Sequence, residues 1–248
     1  MQVADILEYL DTLYPQNTAC DFDNVGLLVG DRFATVKNVL VALDCTHQAV
    51  KSAISQDCNL IITHHPIIFE PLKTVTKGSV VYELIKNQIS VISVHTNLDI
   101  GDGGVNDCLC KTIGLENVNK FTSSDGFLLR EGIINPLSAD DFAKHLKTVL
   151  GTNVRYVDGD KKINKVLVCS GSGGEFITEA ISYDYDALVT SEVKHHQFLL
   201  AADNSVSLFD AGHFYTEDIV IEPLKDLLKS KFIDTSFFTY HDFSIKSV

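Results

Sequence analysis

The sequence predicts an α/β fold made of two duplicated lobes, each with a mixed, mostly parallel sheet. Residues 39–65 align without a gap with residues 166–192. Val39-Leu40-Val41 meets Val166-Leu167-Val168, Ala53-Ile54-Ser55 meets Ala180-Ile181-Ser182, Asp57 meets Asp184 and Thr63 meets Thr190. In each copy a short β-branched run leads into a helical stretch and then a second apolar run, which is the pattern of a β-α-β unit with a right-handed crossover. A length of 248 residues with 45% hydrophobic content allows one large domain or two small ones with a full core.

The elements follow in order. Val3, Ile6, Leu7 and Leu10 recur at helical spacing, and a short strand is expected at 26–29. Helices are expected at 46–56, 80–87 and 105–113, alternating with apolar strands. In the second half Ser138 is placed to cap a helix carrying Phe142, Leu146 and Val149. A strand at 153–157 and helices at 175–183, 193–202 and 216–229 complete the copy. Each half then reads helix, strand, strand, helix, strand, helix, strand, helix. The polar run Thr122-Ser123-Ser124-Asp125-Gly126 is the expected boundary, giving lobes at 1–123 and 124–248. Whether the lobes exchange elements is left open by the sequence.

Composition narrows the function. A net charge of −13 argues against nucleic acid, whose phosphates call for a basic stripe. No apolar stretch reaches the length of a membrane span. The start Met1-Gln2-Val3-Ala4-Asp5 lacks the basic and apolar regions of a signal peptide. Six scattered cysteines read as small core residues and reduced thiols, and a cytoplasmic location is expected. Cys108 and Cys110 have no second pair nearby and do not suggest a zinc knuckle.

Chemistry concentrates at strand ends, where open α/β sheets place it. Leu60-Ile61-Ile62-Thr63 runs into His64-His65-Pro66. Pro66 restricts His65 to extended conformations and is expected to force a turn that lets both rings reach one cavity. Val91-Ile92-Ser93-Val94 leads to His95-Thr96-Asn97-Leu98-Asp99, and Val206-Ser207-Leu208-Phe209 leads to Asp210-Ala211-Gly212-His213, with Glu217 beyond. His213 and Glu217 share a face if helical; if Thr216 caps the helix, His213 lies in the loop before it. Gly212 permits an unusual turn beside them. Under the duplication, Thr63-His64-His65 corresponds to Thr190-Ser191-Glu192. With the lobes facing each other, these ends are expected to converge in a cleft. His64, His65, Asp99, His213 and Glu217 exceed the three protein ligands of a catalytic zinc and suit two ions roughly 3.5–4 Å apart. Nitrogen and oxygen donors fit zinc, manganese, iron, cobalt or nickel. The bland readings are a core or surface histidine, a turn aspartate at Asp99 and a carboxylate complementing a helix dipole at Glu217.

Other motifs weigh less. Gly171-Ser172-Gly173-Gly174 reads as a tight strand–helix turn, with anion binding as the minority alternative. His195 and His196 lie on an expected helix, either exposed or with one lining the cleft. His47, His145 and His241 are read as structural or solvated.

Asp23-Asn24-Val25-Gly26-Leu27, Ile62-Thr63-His64-His65-Pro66, His95-Thr96-Asn97-Leu98-Asp99, the glycine-rich run after Cys169, and Gly212-His213 with Glu217 together resemble the GTP cyclohydrolase 1 type 2 homologue (Nif-three-like) family. The resemblance covers nearly the whole chain. It implies a dinuclear centre held by His64, His65, Asp99, His213 and Glu217, and a homohexameric toroid with sites facing an inner cavity. Ser191 departs from the glycine that relatives often carry there, and the extra domain that longer members insert between the halves is absent. The reaction class expected is metal-assisted hydrolysis by two divalent ions, with a small-molecule substrate such as a nucleotide, another cyclic amide or a phosphoester. Glu192, His95 and His196, in that order, are the expected proton carriers. The alternatives are a non-catalytic metal-binding scaffold or regulatory partner, and a DNA-associated ring, against which the charge argues.

Overall fold

The computed structural model describes residues 1–242. The chain forms two compact units, one of Met1–Asp102 with the segment from Ile221 onward, the other of Gly103–Val220.

The first unit opens with α1 (Val3–Leu13), which buries Val3, Ile6 and Leu10 on one face. Then come β1 (Gly26–Val29), β2 (Asn38–Ala42), α2 (His47–Ser55), β3 (Cys58–Thr63), α3 (Val80–Lys86), β4 (Ser90–Ser93) and the single turn α4 (Thr96–Ile100). Thr46 caps α2 by accepting from the Ala49 amide at 3.1 Å, and Ser79 caps α3 through the Tyr82 amide at 3.2 Å. The second unit holds α5 (Val105–Thr112), β5 (Glu116–Thr122), β6 (Leu128–Leu137), α6 (Ala139–Leu150), β7 (Arg155–Val157), β8 (Ile163–Ser172), α7 (Ile177–Ser182), β9 (Ala187–Ser191), α8 (His195–Asp203), β10 (Ser207–Asp210) and the single turn α9 (His213–Glu217). Ser138 caps α6 as expected, and Gly151 ends it in the left-handed conformation. The chain then returns to the first unit with α10 (Ile221–Lys231) and β11 (Ser236–Tyr240).

The duplication is visible in the sheets. The 5-stranded sheet runs β1-β4-β3-β2-β11, and the 6-stranded sheet runs β5-β6-β8-β9-β10-β7. β2, β3 and β4 are parallel with β1 antiparallel at the edge; β8, β9 and β10 are parallel with β7 antiparallel at the edge. Even the turns repeat. Asp57 (φ 51°) and the aligned Asp184 (φ 57°) both take the left-handed conformation between helix and strand. The copies differ beyond β2 and β8. β11 adds to β2 in parallel, whereas β6 adds to β8 antiparallel and β5 follows it.

The central strands are apolar on both faces because helices cover both. Leu40, Ile61 and Val91 pack against Ala49, Val50, Ala53 and Leu84 in the first unit. In the second, Val166, Val168, Val189 and Phe209 face Phe142, Leu146 and Leu109. The alternate residues Leu167, Leu188 and Leu208 face Ile177 and Ala180 on the other side. Each of the larger side chains, from valine upward, contributes about 1.5–3 kcal/mol by leaving water. Arg130, also fully buried, forms an ion pair with Asp107 of α5 through Nε and Nη2.

Several expectations change. The run 122–126 is not a lobe boundary; it is the turn of the β5–β6 hairpin, closed by Ser123 N–H to Phe127 C=O at 2.8 Å. The division at 1–123 and 124–248 therefore gives way to a second unit inserted in the sequence of the first. The single helix expected at 216–229 is broken into α9, a 3₁₀ turn (Asp218–Val220) and α10. Pro223, which has no amide hydrogen, sits in the first turn of α10 and could not continue an earlier helix there. β5, β6 and β11 were not anticipated. β5 is polar and almost wholly exposed, and Pro136 in β6 argues against a strand. Among the described residues no helix is long and apolar enough to cross a membrane.

Candidate metal centre

Three of the first unit's histidines gather at the ends of β3 and β4. The turn at His64-His65 is fixed by its backbone: Ser93 Oγ donates to the His64 carbonyl at 2.9 Å and Thr63 Oγ1 to the His65 carbonyl at 2.8 Å. The turn expected from Pro66 is thus present, and it sends both rings the same way. Ring centroids of His64 and His65 lie 4.9 Å apart, of His64 and His95 5.1 Å, and of His65 and His95 5.6 Å. One ring nitrogen from each of the three lies within 4.8 Å of the others, a set that can hold a metal ion.

Each ring is held by its Nδ1. His64, wholly buried, places Nδ1 3.0 Å from the Val94 carbonyl. His65 Nδ1 lies 2.8 Å from Asp44 Oδ1, and His95 Nδ1 lies 2.9 Å from Asp23 Oδ1. Carbonyl and carboxylate oxygens only accept, so each Nδ1 carries a hydrogen, and in the neutral ring Nε2 presents a lone pair. This is how a metal-binding imidazole has its tautomer and direction set. Asp99 Oδ1 stands 3.5 Å from His64 Nε2. With the ring neutral, its lone pair facing a carboxylate is repulsive until a proton or a metal cation lies between them.

Burial alone would push the Asp23 carboxyl up, but hydrogen bonds from His95 and Thr96 outweigh it and hold it at about 2. Asp23 therefore stays ionised. It also accepts from Thr96 through Oγ1 at 2.6 Å and N–H at 3.1 Å, which seats the first turn of α4.

The second unit builds a smaller set in the same manner. α9 puts His213 and Glu217 four residues apart on one turn, with His213 Nε2 2.9 Å from Glu217 Oε2. His213 Nδ1 lies 2.9 Å from Glu192 Oε1, again a carboxylate behind the ring. Gly212 starts the turn at φ +79°, as the sequence suggested. Asp210 ties the two segments together, accepting from the Gly212 and Val193 amides at 3.2 Å each and pairing with Arg155. Glu192 itself adopts φ 54°.

The glycine-rich run makes space. A Cβ at Gly171 (φ +60°) would lie 2.1 Å from Glu217 Oε1 and 3.5 Å from His213 Nε2. Glycine here lets the backbone close on a buried carboxylate. The run is not an anion cradle: the amides of Ser170, Gly171 and Gly173 donate to Asn106, Thr216 and Thr190.

The remaining histidines differ. His145 and His241 use Nε2, toward the Ile113 carbonyl at 2.9 Å and Glu222 at 3.3 Å. His195 and His196 are exposed at the start of α8. Asp44 was missed by sequence reasoning, and Asp23 was noticed without a role; only a fold brings either to its histidine. No disulfide joins the cysteines among the described residues. Burial pushes Cys45, Cys58 and Cys110 up to about 12, far from the thiolate form that binds metals.

Comparison with known proteins shows what the chain is similar to. A relative from Clostridium acetobutylicum named GTP cyclohydrolase 1 type 2 homolog is 34% identical over 229 residues, covering 88% of this chain and 85% of that protein. One of the same name from Clostridium perfringens is 31% identical, covering 93% and 92%. The crystal structure of a hypothetical protein from Staphylococcus aureus superposes with a TM-score of 0.93 at 29% identity, over 100% of this chain and 99% of that one. Reduced HcgD from Methanocaldococcus jannaschii superposes with a TM-score of 0.84 at 30% identity, over 98% of each. The profile of a family described as Duf34/NIF3 (NGG1p interacting factor 3) matches residues 1–244. The chain belongs to that family.

Proposed function

We propose that this chain is a divalent-metal-dependent hydrolase in which His64, His65, Asp99, His213 and Glu217 hold two ions, with His95 beside them. The observation that carries this reading is that, in both units, an oxygen acceptor stands 2.8–3.0 Å behind a ring's Nδ1: the Val94 carbonyl for His64, Asp44 for His65, Asp23 for His95 and Glu192 for His213. Divalent ions bound there would lower the pKa of coordinated water toward neutrality and polarise an attacked centre.

The chain's own groups do the rest. Asp44, Asp23 and Glu192 orient His65, His95 and His213. Glu192 is more than half exposed, so it can exchange a proton with solvent, and it touches His213, which keeps it ahead of His95 and His196 as proton carrier. The relatives' name, which contains GTP, supports a nucleotide as substrate, with a related cyclic amide or phosphoester open to the same chemistry. A homohexameric ring in the cytoplasm completes the reading. The family description, which names an interacting factor, favours a second one: a non-catalytic metal-binding partner protein.

Reconstitution with zinc or manganese followed by GTP turnover tests the proposal. Formate release indicates ring opening and phosphate release indicates phosphoester cleavage. Two ions per chain with no turnover of any nucleotide or cyclic amide would favour the partner-protein reading.

A further inference from the structure

Two large apolar rings stand exposed in the first unit beside the histidine cluster. Phe22 is 60% exposed and Phe69 is 45% exposed. Their centroids are 6.2 Å apart with planes tilted by 33°. The Phe69 ring also meets His95 edge-on, at 6.1 Å and 78°.

The pair is built into the frame that orients His95. Asn24 Nδ2 donates to the Ile68 carbonyl at 2.6 Å, joining the two loops next to the phenylalanines. Asp23, adjacent to Phe22, accepts from His95 and Thr96, and the Cys20 amide donates to Thr96 Oγ1 at 2.9 Å. The loops that carry the two rings are thereby tied to each other and to the segment that carries His95. Exposed phenylalanines offer no hydrogen bond, so they bind by face. A planar heteroaromatic ring stacks on such a face whatever its edge groups.

We propose that Phe22 and Phe69 form a stacking platform for the planar heteroaromatic ring of the substrate, setting which bond lies against the metal-binding histidines. This rests on the hydrolase reading and deepens it.

The chain contains no tryptophan, so Phe69→Trp adds a sole indole reporter. Metal-loaded Phe69→Trp protein would be titrated with guanosine, adenosine, ribose 5-phosphate and choline. Saturable quenching by both nucleosides, and by neither of the others, is expected. Adding Phe22→Ala should raise the nucleoside Kd by roughly 5- to 150-fold, the range of aromatic–base stacking, with metal content and circular dichroism unchanged. Absence of saturable quenching, equal quenching by ribose 5-phosphate, or a response to choline alone would overturn the platform. If Phe69→Trp fails to fold, Phe22→Trp with Phe69→Ala replaces the pair. Failure of the hydrolase reading is distinct: wild-type, metal-loaded protein would turn nothing over while nucleoside quenching persisted.

Discussion

Asp44 and Gly171 occupy the same place in the two copies, at the ends of β2 and β8, and so do His65 and Glu192, just past β3 and β9. In the first copy the acid comes from the earlier position and the imidazole from the later one, at 2.8 Å. In the second copy the later position supplies the acid, which reaches His213, and the earlier one supplies no side chain, leaving room for Glu217. The neighbouring strand ends are closer to true repeats. His95 and Asp99 are four apart at α4, as are His213 and Glu217 on α9. Duplication preserved the backbone slots and the habit of an acceptor behind each ring, while the donors were redistributed among the slots.

This comparison can be broken by substitution. The largest effect is expected for His65→Ala and His213→Ala. Each should lower metal affinity by more than about 100-fold, beyond what loss of an outer partner costs, with the far-ultraviolet circular dichroism unchanged. Elemental analysis after desalting reads the result, and full metal retention in either variant would remove that copy from the proposed centre.

Next comes Gly171→Ala. The positive φ disfavours a side chain by about 1–2 kcal/mol, and the new Cβ must displace a buried carboxylate. We expect about 2–4 kcal/mol lost in urea unfolding of the metal-free protein. Asp44→Ala, at the aligned and half-exposed position, should cost less than about 1 kcal/mol. Equal losses would mean that Gly171 is an ordinary turn glycine.

Smaller again are Asp44→Asn and Glu192→Gln, each expected to weaken metal binding by about 10–100-fold as read by competition with a chelating dye. A loss from only one of the two would show that the copies do not share this device.

The smallest effect lies where the copies end differently. Glu222 of α10 is held at about 2 by hydrogen bonds from Lys225 and Thr239, below its ordinary 4.5. A depressed carboxylate contributes stability that is fully present above pH 4.5 and lost as pH falls through about 2. The group is largely exposed, so solvent screening keeps the contribution small. Glu222→Gln should flatten the fall in stability across that window, and an unchanged acid limb would deny the pairing any role.

The sequence made much of this legible, and the reasons are local. The β-α-β repeat shows because both faces of a parallel strand are buried and must be apolar. His64, His65, His95, Asp99, His213 and Glu217 show because polar groups directly after such strands have few structural uses. Asp23 and Asp44 do not show, since they lie 72 and 21 positions from the rings they hold. β5 escapes because an exposed edge strand needs no alternation. The return of the chain to the first unit escapes because nothing near α10 or β11 says which sheet they join.

That return has a consequence for synthesis. β2, whose Val39, Leu40 and Val41 are fully buried, is covered on one side only by β11. On the ribosome, the first hundred residues emerge long before that strand is made. Until it arrives, the nascent sheet carries an open apolar edge able to recruit another chain. Emergence and docking of β11 is thus the step that closes this window, and truncation ahead of Ser236 should raise the fraction of product found in inclusion bodies.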